Sequence, residues 1–330
     1  MSSVKPLFSI GVTAYNRNDL LRESLHSLLM QEFADFEVIV GNDYPPSPIS
    51  SEILGIEDSR IRLVNYPENI GPINNANTLL AMAKGSYFTW LADDDILLPN
   101  YLKAVYDGLG TSNNISCVFT SYCQGEHLPE NLESKIDRVE LFEGSDFLNR
   151  YLLRDFRVIG NYGVFETECL RGIGGMVHLG NGYFSPYSDN LLAIQAGLLS
   201  HIMFIHADLV FFRTHESSSS YGNANIEIYR TAQRDLLSKS IDILKNTGGN
   251  GVFQVNLFRL LQWCILDFES VVRRSEAIGV RQAGAYLSFV NQYLPYLKGS
   301  PYYGQTLRMV LRIIMKYVRD FVLRPKRTGA

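Results

Sequence analysis

Three consecutive carboxylates, Asp93-Asp94-Asp95, follow directly on Tyr87-Phe88-Thr89-Trp90-Leu91, a run with the aromatic and apolar character of a buried strand. Carboxylates at the carboxyl end of a core strand sit where open α/β sheets bind ligands. Three adjacent negative charges repel one another unless a positive group is close. Their natural partner is a hard divalent cation, held by one or two carboxylates and completed by substrate phosphates. The alternative is a solvated acidic turn, since Asp is favoured at helix N-caps and Pro99 can open the helix that follows.

Two more strand ends carry polar groups that can converge with the triad. Thr13-Ala14-Tyr15-Asn16-Arg17 follows the first apolar run, and Asn42-Asp43 follows the second. A backbone carbonyl and an Asp can bind the N3–H of a pyrimidine, and a carboxylate-bound cation can hold a diphosphate. Three loops on one sheet edge then form a nucleotide-diphosphate site. Turn chemistry alone also accounts for Tyr15, Asn16, Arg17 and Asp43. No GxGxxG follows any strand, which argues against a Rossmann dinucleotide site.

The elements that must position these groups alternate. Leu7–Ala14, Phe36–Gly41, Ile61–Asn65 and Tyr87–Leu91 read as strands. Asp19–Gln31 and Ile73–Ala83 read as helices between them, the first with Leu20, Leu21, Leu25, Leu28 and Leu29 on one side. This order implies βαβ units and a mainly parallel sheet. A helix near Asn100–Gly108, a strand at Ile115–Tyr122, a looser middle rich in Gly and Asn, and a strand over 200–213 follow. From about Asn225 the period becomes helical and stays so. The expected division is residues 1–224 as an α/β domain and 225–330 as a helical subdomain.

Over roughly residues 7–220 the chain resembles the inverting GT-A glycosyltransferases of family 2. Phe8-Ser9-Ile10-Gly11-Val12-Thr13-Ala14-Tyr15-Asn16-Arg17 looks like that family's opening strand and nucleotide loop. Phe36–Asp43 looks like its second strand, with Asp43 at the uracil-binding position and Asn42 replacing the acid before it. Asn69-Ile70-Gly71 through Asn77 to Gly85 matches the helix that normally reads Ala-Arg-Asn, with Ala76 in place of the arginine. Asp93-Asp94-Asp95-Ile96-x-x-Pro99 looks like the DxD-type metal motif, with Ala92 replacing its commonest first acid. Gly172-Ile173-Gly174-Gly175-Met176 looks like the acceptor-side loop. Ser188-Asp189-Asn190 stands where the family has Glu-Asp, and Phe212-Arg213-Thr214-His215-Glu216-Ser217-Ser218 is similar to its closing Arg-x-His segment.

The resemblance implies an α/β fold of the GT-A type, a Rossmann-like mixed sheet with a C-terminal helical subdomain. It also implies a metal-dependent inverting transfer from a nucleotide-diphosphate sugar, a UDP-sugar by the Asp43 match, to a hydroxyl of a glycan or lipid-linked acceptor. Asp189 is then the catalytic base, with Glu166 and Glu168 next in line. Thr13, Ala14, Tyr15, Arg17, Asp43, Asn77 and Asp93 hold the nucleotide. Asp94 is the foremost ligand for Mn²⁺ or Mg²⁺, followed by Asp95 and His215. Gly174, Gly175 and Ser188 face the acceptor. Position alone offers other readings: an N-cap for Asp189, a hydrogen-bonded surface or core histidine for His215, a left-handed helix cap for Gly174-Gly175. Two other classes compete. A sugar-1-phosphate nucleotidyltransferase would need a glycine-rich first loop, which Thr13–Asn18 is not. A non-catalytic sugar-binding protein on the same fold fits the departures at Ala76, Ala92 and Ser188.

Composition sets the outer limits. At 330 residues and 46% hydrophobic the chain can bury a large core, and a net charge of −4 gives no reason to expect nucleic-acid binding. Residues 306–330 hold seven Lys/Arg against Asp320, so the rest of the chain carries −10. Leu307, Val310, Leu311, Ile314, Val318 and Phe321 recur at helical spacing beside Arg308, Arg312, Lys316 and Arg319, with Arg324, Lys326 and Arg327 beyond. Residues 305–327 thus suit either peripheral contact with an anionic membrane or ordinary packing on the preceding helices. Cys117, Cys123, Cys169 and Cys264 form no CxxC pair and no zinc spacing, and are expected reduced. No signal peptide or membrane span is evident, so a cytoplasmic location is expected, either free or peripheral on the membrane's cytoplasmic face.

Overall fold

A computed structural model describes residues 5–112, 114–128, 134–215, 225–274, 284 and 287–323. Glu216, Ser217 and Ser218 of the closing segment, and Arg324, Lys326 and Arg327 of the tail, lie outside them. The chain divides into two compact units, Met1–His178 with Tyr183–Gly222, and Leu179–Gly182 with Asn223–Ala330.

In the first unit, β1 (Phe8–Ala14) lies between β2 (Phe36–Asn42) and β4 (Tyr87–Ala92), with β3 (Ile61–Asn65) outside β2, all parallel. The register sets Thr13 against Gly41 and Ala92, and Ala14 against Asn42. The three polar strand ends therefore leave the sheet on one edge, because parallel strands in register end at the same level.

Parallel order stops at β4. Tyr87 and Phe88 pair antiparallel with β8 (Val164–Glu166), which pairs antiparallel with β6 (Cys117–Gly125). The long β9 (His201–Arg213) runs parallel to β6 with register shifts around Ser121. β5 (Ile96–Leu97) and β7 (Val139–Glu143) pair antiparallel with β9. The nine-stranded sheet is thus mixed: the parallel pairs are those among its first four strands, as expected from the βαβ units, and the β6–β9 pair, while the remaining pairs are antiparallel. The apolar Ile96-Leu97 after the acidic triad is a strand, and the next helix, α4 (Tyr101–Leu109), starts only after Pro99.

Alternation along the strands builds a core on each face. Phe8, Ile10 and Val12 pack with Leu21, Leu25 and Leu28 of α1 (Asn18–Leu29) and with Leu102 and Val105 of α4. The opposite face joins Phe88 and Trp90 to Leu79 and Leu80 of α3 (Pro72–Met82), Phe147 of α5 (Gly144–Leu153) and Leu192 of α7 (Ser188–Gln195). Each such fully buried side chain contributes about 1.5–3 kcal/mol. Two short helices, α2 (Ser51–Leu54) and α6 (Thr167–Gly172), also belong to this unit.

The second unit is helical. α8 (Ile226–Asn246) is capped by Asn225, whose side chain accepts from the Glu227 amide at 3.0 Å. Leu236, Leu237 and Leu244 of α8 and Leu257, Leu260, Leu261 and Phe268 of α9 (Asn250–Arg274) are buried. The last helix, α10 (Pro301–Leu323), buries Thr306 and Ile313 and half-buries Leu307, Val310 and Ile314. Leu311, Met315 and Val318 stay 54%, 60% and 42% exposed. Among the described residues no helix is long and apolar enough to cross a membrane, and all four cysteines are free.

Candidate active site

A cleft of about 670 Å³ opens at the strand-end edge of the first unit, a size typical of small-molecule sites. One wall is Thr13-Ala14-Tyr15-Asn16-Arg17 with Asp43. A second is Pro72, Ile73 and Asn75 at the start of α3. The third is Asn161 with Met176, Tyr183, Phe184, Ser185, Ser188 and Asp189. Backbone strain marks two walls: Asn16 has φ 52° in the first loop, and Tyr187, just before Ser188, has φ 69°. Both lie in the left-handed region that non-glycine residues rarely adopt, and such strain clusters at functional sites.

Arg17 bridges the acidic triad. Its Nη2 holds Asp93 and its Nη1 reaches Asp94 Oδ2 at 2.6 Å. Asp93 also accepts from the Tyr15 amide at 2.9 Å, which ties the first loop to the triad across 78 residues. Burial raises the Asp93 carboxyl to about 7, against the pull of Arg17. Asp94 Oδ2 lies 3.1 Å from His215 Nε2. Neighbouring ligands of one octahedral cation are about 3 Å apart when each bond is about 2.1 Å, so this pair suits two positions on one ion. Among the described residues no group of three or more His, Cys, Asp or Glu is placed to hold a metal. Asp94 Oδ2 and His215 Nε2 are the two donors that could hold such an ion, whose other ligands would come from phosphate and water.

Asp95, expected as a further metal ligand, serves another purpose. Its carboxylate accepts from the Arg213 amide at 2.8 Å and from the Tyr162 hydroxyl, and 1% of the residue is exposed. Burial, then the charge of Asp94, lifts its pKa to about 8 against those two hydrogen bonds. Asp95 fixes the end of β9, two residues before His215.

Asn77, expected on the nucleotide, points elsewhere. Its amide nitrogen donates to the Met176 carbonyl at 2.8 Å and its oxygen accepts from the Met176 amide at 3.0 Å. Gly174 and Gly175, expected to face the acceptor, close α6 instead: their amides bond Arg171 and Leu170 carbonyls at 3.1 Å. Both have positive φ, 93° and 60°, as such a cap requires. Neither lines the cleft, whereas Ser188 does, with its hydroxyl 2.7 Å from that of Ser185. Ala76 is 6% exposed and packs in the core, so its side chain does not face the cleft.

Asp43 lines the cleft with a carboxylate already engaged. It accepts from the Ile70 and Gly71 amides at 2.7 and 2.9 Å, and the Tyr183 hydroxyl lies 3.5 Å away. Tyr15 stands between Tyr44 and Tyr183, with ring centroids 5.2 and 6.3 Å apart. The aromatic group beside Asp43 was hidden because Tyr183 is 140 residues from it. Asn75, also missed, donates to the Gly41 carbonyl at 2.8 Å.

Asp189 opens α7 beside the cleft, and burial raises its pKa. A raised carboxylate pKa suits proton acceptance near neutrality. Glu166 and Glu168 are poor substitutes, since both are taken up on α6, by Cys169 and Arg171, and neither lines the cleft.

Residues 9–171, which contain the first loop, Asp43 and the acidic triad, match the family model Glycosyl transferase family 2. The chain carries a family 2 glycosyltransferase domain. Among sequence relatives of this family 2 domain, UDP-Glc:alpha-D-GlcNAc-diphosphoundecaprenol beta-1,3-glucosyltransferase of Escherichia coli is 31% identical over 116 residues, covering 35% of this chain and 46% of that protein. The chain thus aligns with less than half the length of that relative. In structure, TarS of S. aureus in complex with UDP-GlcNAc superposes with a TM-score of 0.66 at 14% identity, covering 95% of this chain and 91% of the other. Mannosyltransferase PcManGT of Pyrobaculum calidifontis, in complex with GDP-Man and Mn²⁺, gives 0.53 at 15% identity, over 96% and 88% of the two chains. The fold of the family 2 domain is GT-A.

Proposed function

We propose that the protein is an inverting glycosyltransferase that moves a sugar from a nucleotide-diphosphate donor to a hydroxyl of a glycan or lipid-linked acceptor. The observation that carries this reading is the cleft itself, which sets the raised-pKa carboxylate of Asp189 and the cationic first loop around one space. Arg17 supplies positive charge for the diphosphate. Thr13, Asp43 and the Tyr15–Tyr183 rings suit a uracil base, which favours UDP-sugars. Asp189 takes the proton from the acceptor hydroxyl as that oxygen attacks the anomeric carbon, so transfer is a single displacement. Asp94 and His215 are the residues that would hold Mn²⁺ or Mg²⁺, whose chemistry is to neutralise charge on the departing diphosphate. The Escherichia coli relative's diphosphoundecaprenol-linked substrate supports an acceptor of that class, and hence work at a membrane surface.

The test is a thermal-shift screen of UDP-, GDP-, dTDP- and CMP-sugars with and without Mn²⁺, followed by nucleotide release with undecaprenyl-diphosphate saccharides. Stabilisation by UDP-sugars and release of UDP on acceptor addition are expected. Binding without release under any donor and acceptor would favour a non-catalytic sugar-binding protein.

A further inference from the structure

Among the described residues that line the cleft, Arg17 is the one cationic side chain. It is also the cation that the acidic triad already holds, with Nη2 on Asp93 and Nη1 on Asp94 Oδ2 at 2.6 Å. That same oxygen is the one that lies 3.1 Å from His215 Nε2. We propose that Arg17 is a displaceable internal counter-cation, held by Asp93 and Asp94 in the free protein and turned onto the donor diphosphate when a divalent cation takes Asp94. The inference rests on the nucleotide-sugar reading of the cleft and adds how metal and donor affinity are coupled.

A divalent cation bound through Asp94 Oδ2 would share that oxygen with a guanidinium nitrogen 2.6 Å away, and two positive charges on one carboxylate oxygen repel. Arg17 cannot shed its charge to make way, since a guanidinium stays protonated in proteins. It must therefore find another anion, and its side chain, 25% exposed, already borders the cleft. Asp93 is 1% exposed and anchored by the Tyr15 amide, so it keeps its hold on Nη2 while Nη1 turns. A diphosphate in the cleft offers Nη1 a charged acceptor in place of Asp94.

Two consequences follow. In the free protein Arg17 opposes metal binding, because the ion must displace it. With donor present Arg17 has somewhere to go, so each ligand tightens the other by the same factor.

The experiment titrates Mn²⁺ into the full chain with and without saturating UDP, reading free Mn²⁺ by electron paramagnetic resonance. Wild type should show UDP tightening Mn²⁺ binding by about tenfold or more. Arg17→Gln should bind Mn²⁺ severalfold tighter than wild type without UDP, while the tightening by UDP shrinks toward none. Arg17→Lys keeps the charge without the fork that spans two carboxylates. It should fall between the two, and decides the question where Arg17→Gln does not fold. Variants that bind Mn²⁺ no tighter than wild type, with coupling intact, overturn the proposal alone. A wild type that binds neither Mn²⁺ nor UDP overturns it together with the glycosyltransferase reading.

Discussion

Gly160 lies against the first turn of α7 so closely that a Cβ placed on it would come within 2.0 Å of the Asp189 carbonyl oxygen and 3.1 Å of the Ala193 nitrogen. The contact is with backbone, which cannot rotate away. Gly160→Ala should therefore push Asp189 out of position while the donor walls stay as they are. The expected result is a fall in kcat of about 100-fold, the scale of a 1 Å misplacement, with the dissociation constant for UDP within a few-fold of wild type. Calorimetry and UDP release measure the two; turnover near wild type would show that α7 tolerates the shift.

Asp189→Asn should lose transfer by about 10²- to 10⁴-fold with donor binding retained, because the amide cannot accept the proton. A base must be ionised to act, so wild-type kcat should rise with pH along an acid limb. Burial raises the Asp189 pKa, which places the midpoint of that limb above the ordinary carboxylate value of about 4. The same shift has a stability consequence. A folded-state pKa above the unfolded one means the native state binds the proton more tightly, so stability falls as pH climbs from the unfolded to the folded value. Asp189→Asn removes that loss. Its melting temperature should match wild type near pH 4 and exceed it at pH 7 and above.

Asp94 and Asp95 are neighbours with opposite expectations. Asp94→Asn should abolish the Mn²⁺-dependent gain in UDP affinity and leave melting little changed, since its carboxylate serves His215 and Arg17, of which Arg17 borders the cleft. Asp95→Ala leaves the buried Tyr162 hydroxyl and the Arg213 amide without their acceptor. Each unsatisfied buried donor costs about 1–3 kcal/mol, so a clear drop in stability is expected, read by denaturant titration. Equal stability in the two variants would put Asp95 back among the metal-site candidates.

That contrast shows where sequence reading stops. The first four strands were legible because each is a mostly apolar run followed by polar groups, and their parallel register carried the strand-end residues to one edge. β7 and β8 were not, since Val139–Glu143 alternates with exposed Val139 and Leu141, and Val164–Glu166 is three residues long. A motif names a residue type at a position but not the direction of its side chain. Asp93, Asp94 and Asp95 look alike in sequence, yet a strand end turns them toward Arg17, toward Arg17 with His215, and toward Tyr162. Asn77 likewise does not line the cleft, because its amide is spent on the backbone of Met176, which does.

Asp43 joins recognition to loop structure. Because it already accepts the Ile70 and Gly71 amides, Asp43→Ala should weaken UDP binding and also loosen the 69–71 turn before α3. Both a lower UDP affinity and faster amide exchange at Ile70 and Gly71 are expected. Unchanged UDP affinity would remove Asp43 from base recognition and leave it a turn-fixing acid.

The basic tail offers the last test. α10 turns Thr306 and Ile313 inward and leaves Leu311, Met315 and Val318 exposed on one side, at i, i+4 and i+7, with Arg308, Arg312 and Arg319 also exposed. An ordinary packing helix would hide that stripe, and the packing face here lies elsewhere on the same helix. An apolar stripe edged by cations suits an anionic lipid surface, where each basic residue near the headgroups adds about 1 kcal/mol and each buried CH₂ about 0.8 kcal/mol. The full chain should co-sediment with phosphatidylglycerol vesicles at low salt, release as salt rises, and ignore phosphatidylcholine. Leu311→Ser, Met315→Ser and Val318→Ser together should abolish binding without disturbing melting, because none of the three is buried in the unit. If the triple variant binds as well as wild type, the attraction is charge alone, and the exposed stripe has no part in it.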